Sequence, residues 1–210
     1  MPPKVKFQKE EIVLAAMKIA AKKGIGAVTA REVAGELGVS TRPIFTYYDS
    51  MDQLRKDVYK LAQARYREYV EHGLAGPVPF LGVMQQYLLF AREEPELYRL
   101  LFLTGQEGMI GGTIEALKFS QDLARESLMN IYHMDADMAD CYFRDMWLVA
   151  FSFAALIVTD NCPYTEKEML AIGTEISLSI CKAYKEIPGL YKGEFDRDSI
   201  FQSLVAGKQD

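Results

Sequence analysis

Cysteine and histidine are both scarce in this chain, and their scarcity removes whole classes of chemistry. The three cysteines, Cys141, Cys162 and Cys181, are odd in number and far apart, which suits neither a disulfide framework nor a zinc-ligand spacing. They fit a reduced, cytoplasmic setting as small core residues. The two histidines, His72 and His133, stand outside any nucleophile or metal motif. The acids after His133, in HMDADMAD, suggest a calcium loop, but the central glycine and closing glutamate are missing. Asp135 reads better as a helix N-cap. No phosphate-cradling glycine loop is present, since GMIGG at 108–112 has neither the lysine nor a preceding strand. An enzyme, a cofactor and a metal site are therefore not expected. The longest near-continuous apolar run, Met146 to Val158, has 13 residues, short of the ~20 a membrane helix needs. The charged opening residues have no apolar core, so a signal peptide is not expected either.

Excess positive charge is missing too, but only in the total. The chain has 24 Lys/Arg against 29 Asp/Glu, a net charge of −5. Residues 1–48 hold 8 basic and 4 acidic side chains, a net +4, whereas residues 49–210 hold 16 and 25, a net −9. Attraction for phosphate is thus concentrated at one end, and the remainder repels it. Lys4, Lys6 and Lys9 precede the first helix, either as an arm that reaches a nucleic-acid backbone or as a solvated terminus.

Within the positive segment, Thr29 to Leu54 (TAREVAGELGVSTRPIFTYYDSMDQL) reads as two short helices joined by a tight turn. Thr29 is an N-cap, with Glu32 three residues on as the partner in a capping box. Val33, Ala34 and Leu37 form the buried stripe. Gly38 stops the helix, because glycine enters the left-handed region without a Cβ penalty. Ser40 is the next N-cap, and Pro43 sits in a first turn where its missing N–H is harmless. Ile44, Phe45 and Tyr48 are expected on the buried side of the second helix. Thr41, Arg42, Pro43, Thr46 and Tyr47 are left for the opposite face. Asp49 or Ser50 caps a further helix carrying Leu54, Val58 and Leu61. Such a helix-turn-helix puts its second helix in the DNA major groove.

An amphipathic first helix (Ile12, Ala16, Ile19, Ala20), Gly24, then TAREVAGELGVS, IFTYY and MDQL together resemble the N-terminal domain of the TetR family of transcriptional regulators, over about residues 8–60. The resemblance implies that Thr41, Arg42, Pro43, Thr46 and Tyr47 face DNA; Ser40 and Lys6 are candidate DNA contacts beside them. It also implies that Thr29 touches phosphate and Arg31 phosphate or a base edge. Met51 departs from the pattern, standing where many members have a phosphate-contacting lysine. Residues 90–102 (FAREEPELYRLLF) resemble the ligand-binding domain of one subgroup.

Beyond the head, the chain reads as all-helical, giving a three-helix head at 1–53 and a helical-bundle body at 54–210, about nine helices in all. Helices are expected at Leu54–His72, 80–93, 95–102, 113–132, 136–159 and 165–186, with a break at Gly73–Pro79 and a polar, weakly packed tail after Pro188. Gly105 to Gly112 is either a ligand gate or an ordinary loop. Two helices carry broad apolar faces, one with Trp147, Leu148, Val149, Phe151, Phe153, Leu156 and Ile157, the other with Met169, Ile172, Ile176, Leu178, Ile180 and Ala183. They serve either a homodimer interface, as the resemblance implies, or a monomer core. Met84, Tyr87, Phe102, Met109, Phe119, Tyr142, Phe143 and Trp147 are core residues or the lining of an effector pocket, the second being what the resemblance implies. Arg92, Arg99, Arg144, Asp145 and Glu115 are either its polar handle or ordinary surface ion pairs. The expected function is a regulator that binds a palindromic operator as a homodimer, a repressor released by a small apolar ligand. The alternative is a helical adaptor that uses the head for protein contacts.

Overall fold

A computed structural model describes residues 8–76, 79–104 and 113–206. Ten α-helices and no strand occur among them. Lys4, Lys6, Met109 and the glycine-rich connection at 105–112 lie outside the described residues.

The head begins with α1 (Lys9–Lys23), whose Ile12, Ala15, Ala16, Ile19 and Ala20 form one buried stripe. Glu11 closes its start by accepting from the Gln8 N–H at 2.7 Å. Acids in the first turn and Lys22 and Lys23 in the last suit the helix dipole. A single 3-10 turn, Ile25–Ala27, leads to α2 (Ala30–Leu37). Thr29 caps α2 by accepting from the Glu32 N–H at 3.3 Å. The reciprocal half of the expected capping box is replaced: the Glu32 carboxylate reaches Lys23 at 2.8 Å, and the Thr29 N–H donates to Ala27 instead. Gly38, at φ 68°, ends the helix as expected.

Two further expectations are corrected in the next segment. Regular helix is confined to α3 (Ile44–Tyr47), entered through Pro43 in helical conformation, so Pro43 and not Ser40 occupies the cap position. Phe45 is not buried: it is 51 % exposed, while Ile44 and Tyr48 fill the core. In a helix of four residues only positions i and i+4 share the inner face, and Phe45 is turned about 100° away from them.

Helix α4 (Met51–Leu74) runs unbroken from head to body. It buries Leu54 and Val58 at one end and Tyr66, Tyr69 and Val70 at the other. Gly73 lies inside this helix and not in the break. A Cβ at Gly73 would stand 2.7 Å from the backbone of Gly82, so the pair marks a close crossing of α4 with α5 (Pro79–Glu93). The next helix, α6 (Pro95–Tyr98), continues into a π-turn, Arg99–Leu103. It also meets the head, since Glu96 abuts Gly24 at the end of α1. The Arg99 guanidinium holds both the Glu96 carboxylate and the Val158 carbonyl.

Three long helices complete the body: α7 (Thr113–Tyr132), α8 (Ala136–Val158) and α9 (Glu166–Glu186). Asp135 caps α8 by accepting from the Met138 N–H at 2.8 Å. Thr165 and Glu168 cap α9 reciprocally, at 2.7 and 3.3 Å. By length and composition α8 reaches the range of a membrane-crossing helix. Nine of its residues, from Ala139 to Val158, are nonetheless buried, and it packs against α5, α7 and α9. The tail forms a further helix, α10 (Arg197–Ala206), that buries no residue, in keeping with weak packing.

Candidate nucleic-acid interface

Thr29, Arg31, Ser40, Thr41, Arg42, Thr46 and Tyr47 are all exposed, and Pro43 is half-buried. Several of them border one hollow. A groove of about 610 Å³ between α1 and α2 is lined by Lys18, Lys22, Lys23, Arg31, Ser40 and Thr41, among others. Lys18 and Lys23 are engaged with Glu36 and Glu32. Among the described residues, Lys22, Arg31 and Arg42 have no ion pair, and their charges are open to an external anion. Lys22 was not singled out in the sequence because it falls on α1, upstream of the motif. Its signal was the basic last turn of that helix.

The second helix is held in place by contacts on its inner side. Burying Ile44 completely stabilises it by roughly 2 kcal/mol. The Tyr48 phenol donates to Asp57 of α4 at 3.0 Å, and Lys9 of α1 reaches the same carboxylate oxygen at 2.8 Å. Lys9 also lies over the Tyr48 ring, 5.0 Å from its centre. The Lys9 ammonium, with help from Tyr48, holds the Asp57 carboxyl below its ordinary range. Burial first, and Asp57 second, push the Tyr48 phenol upward, so it stays a donor. Arg55 ties α4 to the start of α2 by donating to the Val28 carbonyl at 3.1 Å. These bonds orient α3 from behind and leave Arg42, Phe45, Thr46 and Tyr47 on its outer side. Phe45 adds an apolar surface suited to the methyl group of thymine.

In the body, four of the eight expected lining residues come together. Met84, Tyr87, Phe143 and Trp147 surround a cavity of about 20 Å³ with Tyr66, Val83, Met146 and Ala150. Phe102 stands behind them, its ring 5.2 Å from Tyr87 and 6.4 Å from Trp147. Tyr142 lies elsewhere, bonded to Ser177 and packed on Tyr132 at 5.6 Å. Phe119 does not line the cavity and sits beneath Arg67 at 5.3 Å. Met146 and Ala150 were legible in retrospect, because they continue the helical stripe through Phe143 and Trp147. Arg92, Arg99 and Arg144 are paired with Glu166, Glu96 and Asp145, and none of them borders the cavity. No group of His, Cys, Asp and Glu among the described residues is arranged to hold a metal ion.

Comparison with known proteins bears on the head. Residues 12–58 match a family model described as bacterial regulatory proteins, tetR family. The match spans α1 from Ile12 onward, the whole helix-turn-helix and the first turns of α4. No curated protein matches the chain. Residues 12–58 thus carry the N-terminal DNA-binding domain of the tetR family of bacterial regulatory proteins.

Proposed function

We propose that this regulator is a repressor that binds a palindromic operator as a homodimer and leaves it when a small apolar effector enters the body. It is not an enzyme and acts in the cytoplasm. The division into head and body falls near residues 53 and 54, in the first turn of α4. The observation that carries the reading is the outer surface of α3 and its flanks. There Thr41, Arg42, Phe45, Thr46 and Tyr47 are exposed, while Ile44 and Tyr48 anchor the segment behind them. Thr29, Arg31 and Ser40 extend this surface toward phosphate. Two heads related by a twofold axis would read two half-sites.

Dimerisation is supported by the apolar faces of α8 and α9. Leu148 is 53 % and Leu178 67 % exposed, and Ile172, Ile176 and Ile180 are only half-buried in the single chain. The effector reading is supported by the aromatic lining of the body cavity and by α4, which contributes Tyr66 to that lining and Leu54 to the head.

The test is selection of bound fragments from a random DNA pool, followed by fluorescence anisotropy across a salt series. The expected result is a palindromic site bound at ~10⁻⁸ M or tighter at physiological salt, with Arg42→Ala relaxing the preference at one position. A folded protein that enriches no sequence would overturn the reading and favour an adaptor.

A further inference from the structure

We propose that the indole N–H of Trp147 is the polar anchor of a site for a neutral, flat apolar molecule carrying one hydrogen-bond acceptor, such as an aryl ketone or ester. The proposal rests on the effector reading above and names the chemistry that reading leaves open.

Trp147 is 5 % exposed, and its Nε1 is buried with no hydrogen-bond partner. Buried indole N–H groups ordinarily find one. The same side chain borders the cavity described above. The other polar atoms of that lining are already engaged. The Tyr66 hydroxyl bonds to Ser120 at 3.0 Å, and the Tyr87 hydroxyl to that of Tyr98, also at 3.0 Å. The indole N–H is the lining donor that is buried with no partner at all, and so is the one open to a guest.

The lining also defines what is refused. Tyr66, Val83, Met84, Tyr87, Phe143, Met146, Trp147 and Ala150 include no charged side chain. A carboxylate or ammonium entering there would lose its hydration without gaining a counter-charge. The surrounding rings favour a flat guest: Phe151 stacks on Trp147 at 5.0 Å, and Tyr87 meets it edge-on at 6.4 Å.

Room comes from the methionines. The cavity of about 20 Å³ holds one water-sized group, less than a ring requires. Met84 and Met146 are unbranched and can change rotamer at little cost. Met84 already presses its thioether against Gly173 of α9, where a Cβ would collide with it.

Trp147 is the single tryptophan of the chain, so one indole resonance reports on the site in ¹H–¹⁵N spectra of the full-length protein. Three probes of similar size separate the contributions: acetophenone, ethylbenzene without the acceptor, and benzoate with a charge. Acetophenone is expected to shift the indole resonance saturably, slow its solvent exchange, and bind about tenfold tighter than either control. Trp147→Phe is expected to abolish the preference for acetophenone over ethylbenzene, measured by calorimetry. Ala150→Leu fills the cavity with the indole left in place and is expected to abolish binding of both. An indole resonance that ignores all three probes, or that shows contact with a long-lived water no probe displaces, would overturn the proposal. Retention of the acetophenone preference in a folded Trp147→Phe protein would do the same. Operator release is scored separately by anisotropy. Binding without release leaves the indole anchor standing and removes the effector reading. Release by a compound that leaves the indole resonance unmoved removes the anchor and keeps the effector reading.

Discussion

On the proposed reading, Arg42, Phe45 and Lys22 would divide the work of DNA recognition by chemistry. Arg42, exposed and without an ion pair, is suited to a guanine edge, and Arg42→Ala should cost ~1–3 kcal/mol at one base position. Phe45→Ala should weaken binding at thymines only. Replacing each operator thymine by deoxyuridine checks this: the methyl-free base should penalise the native protein and leave the variant indifferent. Lys22→Ala should lower affinity for every sequence alike and reduce the salt slope by about one. A change confined to one sequence would mean Lys22 touches a base. Asp57 gives a dependence on acidity. Lys9 and Tyr48 hold its carboxyl below the ordinary range, so its contribution to head stability is complete above the unfolded value of about 3.9. That contribution disappears as pH falls through the lower folded value. Thermal melts of native protein and Asp57→Asn should therefore converge in acid and separate at neutral pH. A gap that stays constant with pH would count against the ion pair. The exposure of Arg42 was legible from the sequence, because cap and turn residues fixed which positions were left outside, whereas Arg31 came from the family resemblance alone. Phe45 was not, since a hydrophobic residue beside Ile44 reads as core until the helix is seen to last a single turn.

Long helices declared themselves in the sequence: α8 begins where Asp135 predicts, and α9, expected at about 165–186, starts behind a Thr165–Glu168 capping box. Glycine was the less faithful guide. Gly38 ends α2 by local conformation, which a sequence reveals. Gly73 and Gly82 are needed because two helices touch there, and nothing local distinguishes a stop from a close approach. Gly73→Ala should destabilise the body by ~1–3 kcal/mol, the usual cost of forcing a methyl group into a packed crossing. Urea denaturation reads this directly, and an unchanged midpoint would show that the crossing has slack. The cavity illustrates the same limit. Helical periodicity locates Phe143, Met146, Trp147 and Ala150 on one stripe, but the partners from α4 and α5 are visible only once the helices are packed.

The charge asymmetry between residues 1–48 and the rest foretold which end meets DNA. Pairing between chains lies beyond a single chain, and α8 and α9 show why. Their apolar residues remain partly open after folding, which leaves surface for a second copy. Sedimentation at micromolar concentration should give a dimer, and Leu178→Glu should shift it to monomer and weaken operator binding. A native monomer would assign those faces to another use. Helix α4 sets the mechanical scale of any response. Fifteen residues separate Tyr66 beside the cavity from Met51 at the foot of the head, a rod about 22 Å long. A tilt of only about 5° about Tyr66 carries Met51 through roughly 2 Å. Base-edge hydrogen bonds tolerate only a few tenths of an ångström, so on the proposed effector reading the rod would amplify a displacement too small to disturb the body into one large enough to misalign the head. Its stiffness is then a functional property in its own right. A helix softened at its exposed Ala64 would bind both DNA and guest and report neither to the other.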